Sequence, residues 1–207
     1  MADETSTGSA GASPRRRHSP GSLGEQSPLQ ARAAFLKNRG WESVISFNRA
    51  ACERGRAQHG FNSETQETLA REWEAQRAQV FSLNELLEFL RQCHRRAPFL
   101  FFNGNTFADI GRQVSDVLFA DLPAVRRREV TSAIAHYISG VLDRENMVAI
   151  VESLWHSADL KPGDRVKTFR GSLRGVIVRK LPDGRVAWRP DRSSTELIAF
   201  SESLVID

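Results

Sequence analysis

The sequence has little cysteine and no long apolar run. Of its 207 residues only Cys52 and Cys93 are thiols, too few for a disulfide framework or a cysteine-based zinc site, so we expect a reducing compartment. No apolar stretch approaches the roughly 20 residues that cross a bilayer. Near the N-terminus, three arginines at residues 15–17 are followed by His18, Ser19 and Pro20 instead of the apolar segment of a signal peptide. We therefore predict a cytoplasmic protein with no membrane partner.

The sequence also lacks the common motifs of catalysis and metal binding. Its histidines form no HExxH, HxxxH or ExxH pair, and there is no CxxC, GxxxxGK[ST], GxGxxG or GxSxG. Cys93 and His94 are adjacent, so their side chains diverge around a helix instead of meeting as a nucleophile and its base. We predict no metal, no cofactor and no catalytic residue, and an enzyme is the less favoured interpretation.

Positive charge is concentrated at the C-terminal end. Basic and acidic residues balance in residues 1–28, with three of each, and in residues 29–159, with sixteen of each. Residues 160–207 hold ten basic and six acidic residues, so the excess of four lies entirely in this last part. A basic local field favours anionic partners, nucleic acid first, and the alternative is a solvated arginine-rich surface. The same alternatives, a phosphate contact or a solvated face, apply to the three arginines at residues 126–128, which oppose the dipole of a predicted helix.

Low sequence complexity marks residues 1–28. They combine Gly, Ser, Pro and Thr with few large apolar side chains, so folding cannot offset their ordering entropy, and we predict a disordered tail. From Leu29 the apolar spacing becomes helical. We predict one or two helices up to Gly55 or Gly60, with a helix end at Gly40 and apolar spacing that resumes at Trp41, and then an exposed helix over residues 63–79. Together they form an N-terminal helical region, residues 29–80.

Residues 81–158 carry stronger helix signals. The predicted helix starts are marked by N-terminal capping residues: Ser82 with Glu85, Thr106 with Asp109, Asp121 with Pro123, and Asp143. Short connections between these helices predict a compact bundle. The four apolar residues 99–102 are interpreted as a buried extended segment, followed by a turn at residues 103–105. The alternative is a partner surface formed by Phe99, Phe101, Asn103 and Asn105.

The chain from Asp164 to Asp207 has the pattern of short strands separated by turns. The predicted strands are RVKTF, GVIVRKL, RVAWR, TELIAF and VID, with SESL as a short helical turn before the last one. Pro182, Asp183 and Gly184 form a tight hairpin signal. Five short strands joined in this way are typical of a small closed barrel, in which Trp188 is predicted to lie in the core.

The stretch PGDRVKTFRGSLRGVIVRKLPDGRVAW resembles the SH3-like barrels of bacterial proteins, including the KOW and Tudor-like groups. In these barrels a PGD turn, here at residues 162–164, opens the first strand, and a glycine pair, here Gly171 and Gly175, precedes the second. The resemblance covers residues 160–207, and barrels of this kind bind RNA, DNA, ribosomal surfaces or peptides, or brace a neighbouring domain. The expected fold is α+β, with a disordered tail and a mostly helical bundle followed by an SH3-like barrel over residues 159–207.

Two binding hypotheses follow. The first is a non-enzymatic accessory protein that binds nucleic acid or a nucleoprotein through the basic barrel, with phosphate contacts from Arg170, Arg174, Arg179, Arg185 and Arg189. The second is a protein-interaction or assembly adaptor, in which the barrel binds a peptide or braces the helical domain. Arginines paired with acids favour the second hypothesis, and a continuous basic strip favours the first.

Overall fold

The computed structural model describes residues 27–169 and 173–207. In these residues a mostly helical part precedes a five-stranded antiparallel sheet, which confirms the predicted α+β fold. The predicted disorder of the tail falls on residues 1–26, outside the described residues, whereas Pro28 at its end is buried in a 3₁₀ turn. Among the described helices, none is both long enough and apolar enough to cross a membrane.

The elements follow the order predicted for a helical part and a barrel. The helices are α1 (Trp41–Arg54), α2 (Ser63–Arg77), α3 (Leu83–Arg96), α4 (Asn103–Leu118), α5 (Ala124–Ile138) and α6 (Arg144–His156). The strands are β1 (Arg32–Ala33), β2 (Phe81–Ser82), β3 (Arg165–Thr168), β4 (Arg174–Lys180), β5 (Arg185–Pro190), β6 (Leu197–Phe200) and β7 (Leu204–Ile206). Short 3₁₀ turns lie at Pro28–Gln30, Ser157–Asp159 and Ser201–Ser203.

The helix predicted to end at Gly40 is wrong. This segment forms the first 3₁₀ turn, then β1, which pairs antiparallel with β2, and then a turn. Its apolar spacing reflects packing instead, because Leu29 and Leu36 are both buried in the core of the helical part. Gly40 is the N-cap of α1.

The two predicted capping boxes have different outcomes. The box of α3 is confirmed: Ser82 Oγ accepts a hydrogen bond from Glu85 N (3.2 Å), and Glu85 Oε2 accepts one from Ser82 N (2.6 Å). The box at Thr106 is wrong, because α4 begins three residues earlier at Asn103, with Phe102 as its N-cap in the left-handed region (φ 57°). Thr106 instead lies inside the helix and donates from Oγ1 to Phe102 O (2.8 Å).

The helices share one hydrophobic core. Apolar residues of all six helices belong to it, and Trp41 of α1 and Trp73 of α2 meet edge to face with ring centroids 6.0 Å apart. Gly111 of α4 faces Ile138 of α5 so closely that a Cβ atom would overlap the Ile138 side chain. Because Gly111 has no side chain on this buried face of α4, the two helices can approach each other this closely.

The five C-terminal strands form a sheet with the order β6-β5-β4-β3-β7. The first four strands form a meander, and β7 returns after a 3₁₀ turn to pair with β3, which is the SH3-like strand order. Trp188 is buried in the barrel core together with Val166, Ile177 and Val186, as predicted. Gly175 allows close pairing of β4 and β5, because a Cβ atom there would overlap the carbonyl oxygen of Arg189.

Candidate interaction surfaces of the barrel and the bundle

The described arginines of the predicted nucleic-acid surface all form ion pairs with carboxylates. Arg170 lies outside the described residues. The other four form ion pairs: Arg174 with Asp207 (3.4 Å), Arg179 with Glu196 (2.7 Å), Arg185 with Asp183 (2.6 Å) and Arg189 with Glu196 (3.5 Å). Each of these four positive charges therefore has a carboxylate within 3.5 Å.

Pairing does not bury these arginines. Their side chains remain 44% to 60% exposed, and exposed ion pairs stabilise a fold by only about 0–1 kcal/mol each. Hydrogen bonds to Arg185 hold the pKa of Asp183 below its ordinary value, and the same contact raises the pKa of Arg185. Both groups stay charged near neutral pH, so Arg185 keeps a carboxylate as its default partner.

The two end strands of the barrel sheet have different surroundings. At one end, β7 packs on the bundle: Val205 belongs to the core of the helical part, Ile206 N donates to Ser157 Oγ (2.6 Å), and Ser153 Oγ donates to Ile206 O (3.4 Å). At the other end, β6 pairs with β5 alone among the described strands. One end of the sheet is thus fixed to the bundle, and the other is open.

The open strand β6 is apolar. Leu197, Ile198 and Phe200 are exposed by 42%, 59% and 64%. Ile198 lies opposite Ala187 of β5, and Phe200 lies opposite Arg185, so both side chains share the outer face of the sheet. An open strand with apolar side chains is a surface to which an extended chain can add.

Arg126 joins the bundle to the barrel. Its side chain is fully buried (0% exposed), and Nη2 donates to the carbonyl oxygens of Ser201, the first residue of the 3₁₀ turn between β6 and β7, and of Leu204, the first residue of β7 (3.0 Å to Leu204). Burial lowers the pKa of Arg126 to about 10, while nearby Glu202 acts in the opposite direction. Within the described residues its Nε and Nη1 atoms have no hydrogen-bond partner.

This buried contact of Arg126 differs from both alternatives predicted for residues 126–128, a phosphate contact and a solvated face. The available signal was its spacing, because Arg126, Val130 and Ile134 recur every four residues on the buried face of α5. Arg128 of the same cluster is exposed. The spacing distinguishes the buried arginine from its neighbour.

The candidate partner surface of the bundle separates into buried and exposed residues. Phe99 is 1% exposed and stacks on Trp41, with ring centroids 5.9 Å apart, whereas Phe101 is 51% exposed. Asn103 uses its side chain locally: Phe99 N donates to Asn103 Oδ1 (3.0 Å), and Asn103 Nδ2 donates to Phe99 O (2.7 Å). Asn105 is exposed. The prediction that residues 99–102 are all buried is therefore wrong beyond Phe99.

A buried polar network lies beneath Phe101. Asn48 Nδ2 donates to Phe101 O (2.8 Å) and to Thr106 Oγ1 (3.0 Å), which assigns Asn48 Oδ1 as the acceptor from His59 Nδ1 (2.8 Å). Burial, and then the charge of Arg49, lower the pKa of His59. A neutral His59 therefore completes the network that positions the main chain of Phe101.

The helical part contains a cavity. A cavity of about 520 Å³ lies between α2, α3 and the start of α6, and its lining includes four amide side chains and the Arg32–Glu85 ion pair. No group of three or more His, Cys, Asp or Glu side chains in the described part of the chain is arranged to hold a metal ion. Burial raises the pKa of the Cys93 thiol, so it stays protonated and unreactive.

Comparison of the chain with protein-family models, with curated proteins and with solved structures gives no match in any of the three searches.

Proposed function

We propose that the protein is a non-enzymatic interaction adaptor, in which the helical bundle holds the barrel and the barrel binds a protein partner. The observation that supports this proposal most is the contrast between the two end strands of the barrel. One end strand, β7, packs on the bundle core through Val205, and the other, β6, exposes Leu197, Ile198 and Phe200. A fixed module with one open strand is suited to recognising an extended segment of another protein.

The proposed adaptor acts in the cytoplasm. Cys52 and Cys93 are free and buried, which is typical of a protein that folds in a reducing compartment.

A pull-down with the full chain as bait tests the adaptor function. The lysate is treated with nuclease, and capture by the wild-type chain is compared with capture by an Ile198→Lys variant, which places a charge on the open strand. Val117→Lys is the matched control, because Val117, like Ile198, is an exposed β-branched apolar residue, but it lies on α4. We expect a protein captured by the wild type and by Val117→Lys to be lost with Ile198→Lys. Equal capture by all three chains would contradict the proposal.

Nucleic-acid binding through the barrel is the second candidate. It is favoured by the excess of four positive charges in residues 160–207 and by the exposure of the paired arginines, of which Arg179 is 58% exposed. A phosphate can reach such a guanidinium by displacing a weakly held carboxylate.

Salt dependence tests this second candidate. A short RNA strand and a short DNA duplex are titrated with the full chain over a range of salt concentrations. If Arg179 and Arg189 both contact phosphates, replacing both with alanine reduces the slope of log K against log salt by about 2. Absence of retention at low ionic strength, or a slope unchanged in the double variant, would remove these two residues as phosphate contacts.

A further inference from the structure

We infer that the partner segment is a short, extended peptide with alternating apolar residues and acidic flanks, which adds as a further strand beside β6. This inference rests on the proposed adaptor function and specifies the chemistry of its partner. The main chain of β6 supports it first: β6 pairs with β5 on one side, and the sheet order leaves its other side without a strand among the described residues. Alternate N–H and C=O groups of β6 therefore point away from the sheet.

The sequence of β6 departs from that of a protected edge strand. Edge strands usually carry charges, proline or a bulge that discourages pairing. The strand Leu197–Phe200 reads LIAF, and the bulge of this sheet lies between β4 and β5, at Ile177/Arg179. Four residues span about 13 Å, at about 3.3 Å per residue, so the contact suits a short peptide.

The exposed side chains set the pattern of the peptide. Ile198 and Phe200 stand on the outer face, and Leu197 on the opposite face next to Trp188. A strand added alongside places every second side chain on the outer face, beside Ile198 and Phe200. Apolar residues at alternate positions of the peptide therefore cover the apolar surface of β6.

The charges at the start of β6 favour acidic flanks. Glu196 is shared between Arg179 (2.7 Å) and Arg189 (3.5 Å), so two guanidinium groups have one carboxylate. Arg185 lies opposite Phe200 at the other end of the strand. A peptide carboxylate beside the start of β6 gains a cation that Glu196 alone does not neutralise, and one beside Phe200 competes with Asp183 for the exposed Arg185.

The turn between β5 and β6 adds to this positive field. Arg192 lies in that turn, and the nearby Asp191 is already held by Arg165 through two hydrogen bonds of 2.8 Å. A second copy of the chain is a poorer occupant of β6, because pairing two such strands brings two positive ends together. A four-residue strand also buries much less than the roughly 1,000 Å² expected of a stable dimer.

A displayed library of random twelve-residue peptides provides the test. The library is selected on the immobilised full chain and counter-selected on the Ile198→Lys variant. We expect enrichment of peptides with alternating Val, Ile, Leu or Phe and flanking Asp or Glu. Enrichment of proline-rich, helical or basic sequences, or no enrichment, would overturn the inference.

The site of binding is measured with the most enriched peptide and the full chain. We expect slower amide hydrogen exchange within residues 197–200 on binding, and affinity about tenfold weaker for Ile198→Lys but unchanged for Val117→Lys. Lysine in place of the acidic flanks is also expected to weaken binding. Protection confined to the exposed surface around Phe101 would overturn the inference.

The two proposals fail in different ways. If the pull-down partner depends on Ile198 but the library gives no acidic, alternating peptide, the adaptor function stands and the peptide class is wrong. If the library succeeds and no protein partner depends on Ile198, the strand binds such peptides but the adaptor function is wrong. If RNA binds with a salt dependence that falls in the Arg179/Arg189 double variant and the library enriches no peptide, the barrel surface serves the second candidate function and the inferred peptide is excluded.

Discussion

Arg126 is the side chain whose removal tests the attachment of the barrel most directly. It lies in the first turn of α5, fully buried, and its Nη2 donates to the carbonyl oxygens of Ser201 and Leu204. We therefore predict that Arg126→Ala destabilises the protein and Arg126→Met does so less, because methionine keeps much of the apolar stem. Arg128→Ala is the matched control, because Arg128 is exposed on the same helix.

The expected magnitude follows from the groups that lose a partner. Alanine leaves two carbonyl oxygens without this donor, each at about 1–3 kcal/mol where water cannot replace it. It also removes the packing of the arginine stem. Loss of the buried charge, whose Nε and Nη1 have no partner in the described residues, offsets part of this cost. We expect Arg126→Ala to lower the free energy of unfolding by about 3 kcal/mol and Arg126→Met by about 1–2 kcal/mol.

Chemical denaturation and thermal unfolding measure these differences. For a chain of this length, a loss of about 3 kcal/mol corresponds to a fall in Tm of about 6–12 °C. Native-state hydrogen exchange adds a local readout, because amides of β7 should lose protection before those of α4. If Arg126→Ala and Arg128→Ala agree within about 0.5 kcal/mol, the attachment does not depend on the guanidinium.

Three further predictions concern the barrel, a helix cap and pH. Gly175→Ala should destabilise the protein by about 1–3 kcal/mol in urea denaturation, because the added methyl overlaps a carbonyl oxygen of β5; unchanged stability would refute this reason. Ser82→Ala removes the N-cap of α3 and should cost about 1 kcal/mol, again by urea denaturation, with no change in the peptide affinity of β6. His59 has a lowered pKa, so the unfolded chain takes up its proton at higher pH than the folded chain. Above the ordinary histidine pKa the imidazole is neutral in both states. As the pH falls through that value, proton uptake by the unfolded chain lowers the free energy of unfolding, so the loss of stability between about pH 7.5 and about pH 5.5 should be smaller in His59→Gln.

The barrel was predictable because local signals determine most of it. Strand alternation places Val186 and Trp188 on one face, and Gly184 adopts φ 84° in the turn that joins β4 to β5. These patterns depend on residues close in sequence, so they can be predicted without knowing the rest of the structure. The capping box of Ser82 was predictable for the same reason.

The secondary-structure predictions are wrong where residues distant in sequence determine the local conformation. Residues 29–39 have helical apolar spacing, but pairing of Ala33 with Phe81 satisfies the main chain in an extended form. At α4, Phe102 accepts a left-handed conformation and starts the helix before Thr106, and Asn48 from α1 then binds Thr106 inside it. Sequence signals near Thr106 contain no information about Asn48, which lies 58 positions away.

The candidate site shows the same division. The sequence predicts β6 as a strand and the barrel as basic, yet the openness of β6 depends on the order of all five strands. Likewise the partner of Arg179 is Glu196, 17 positions later, and it becomes a neighbour only when β4, β5 and β6 align. The buried face of α5 identifies Arg126 as unusual, but its partners come from a turn 75 or more positions away.

The attachment of the barrel and its open strand are directly connected in the chain. Phe200 is the last residue of β6, and the carbonyl of the next residue, Ser201, accepts a hydrogen bond from Arg126. In the proposed complex, a peptide beside β6 would also restrict the turn that Arg126 holds, and this docked turn already fixes the position of Phe200. Such a pre-positioned strand loses less conformational freedom on binding than a mobile one. Linkage is reciprocal. If docking of the turn strengthens ligand binding at β6 by some free energy, the bound ligand stabilises the contact between Arg126 and the barrel by that same free energy.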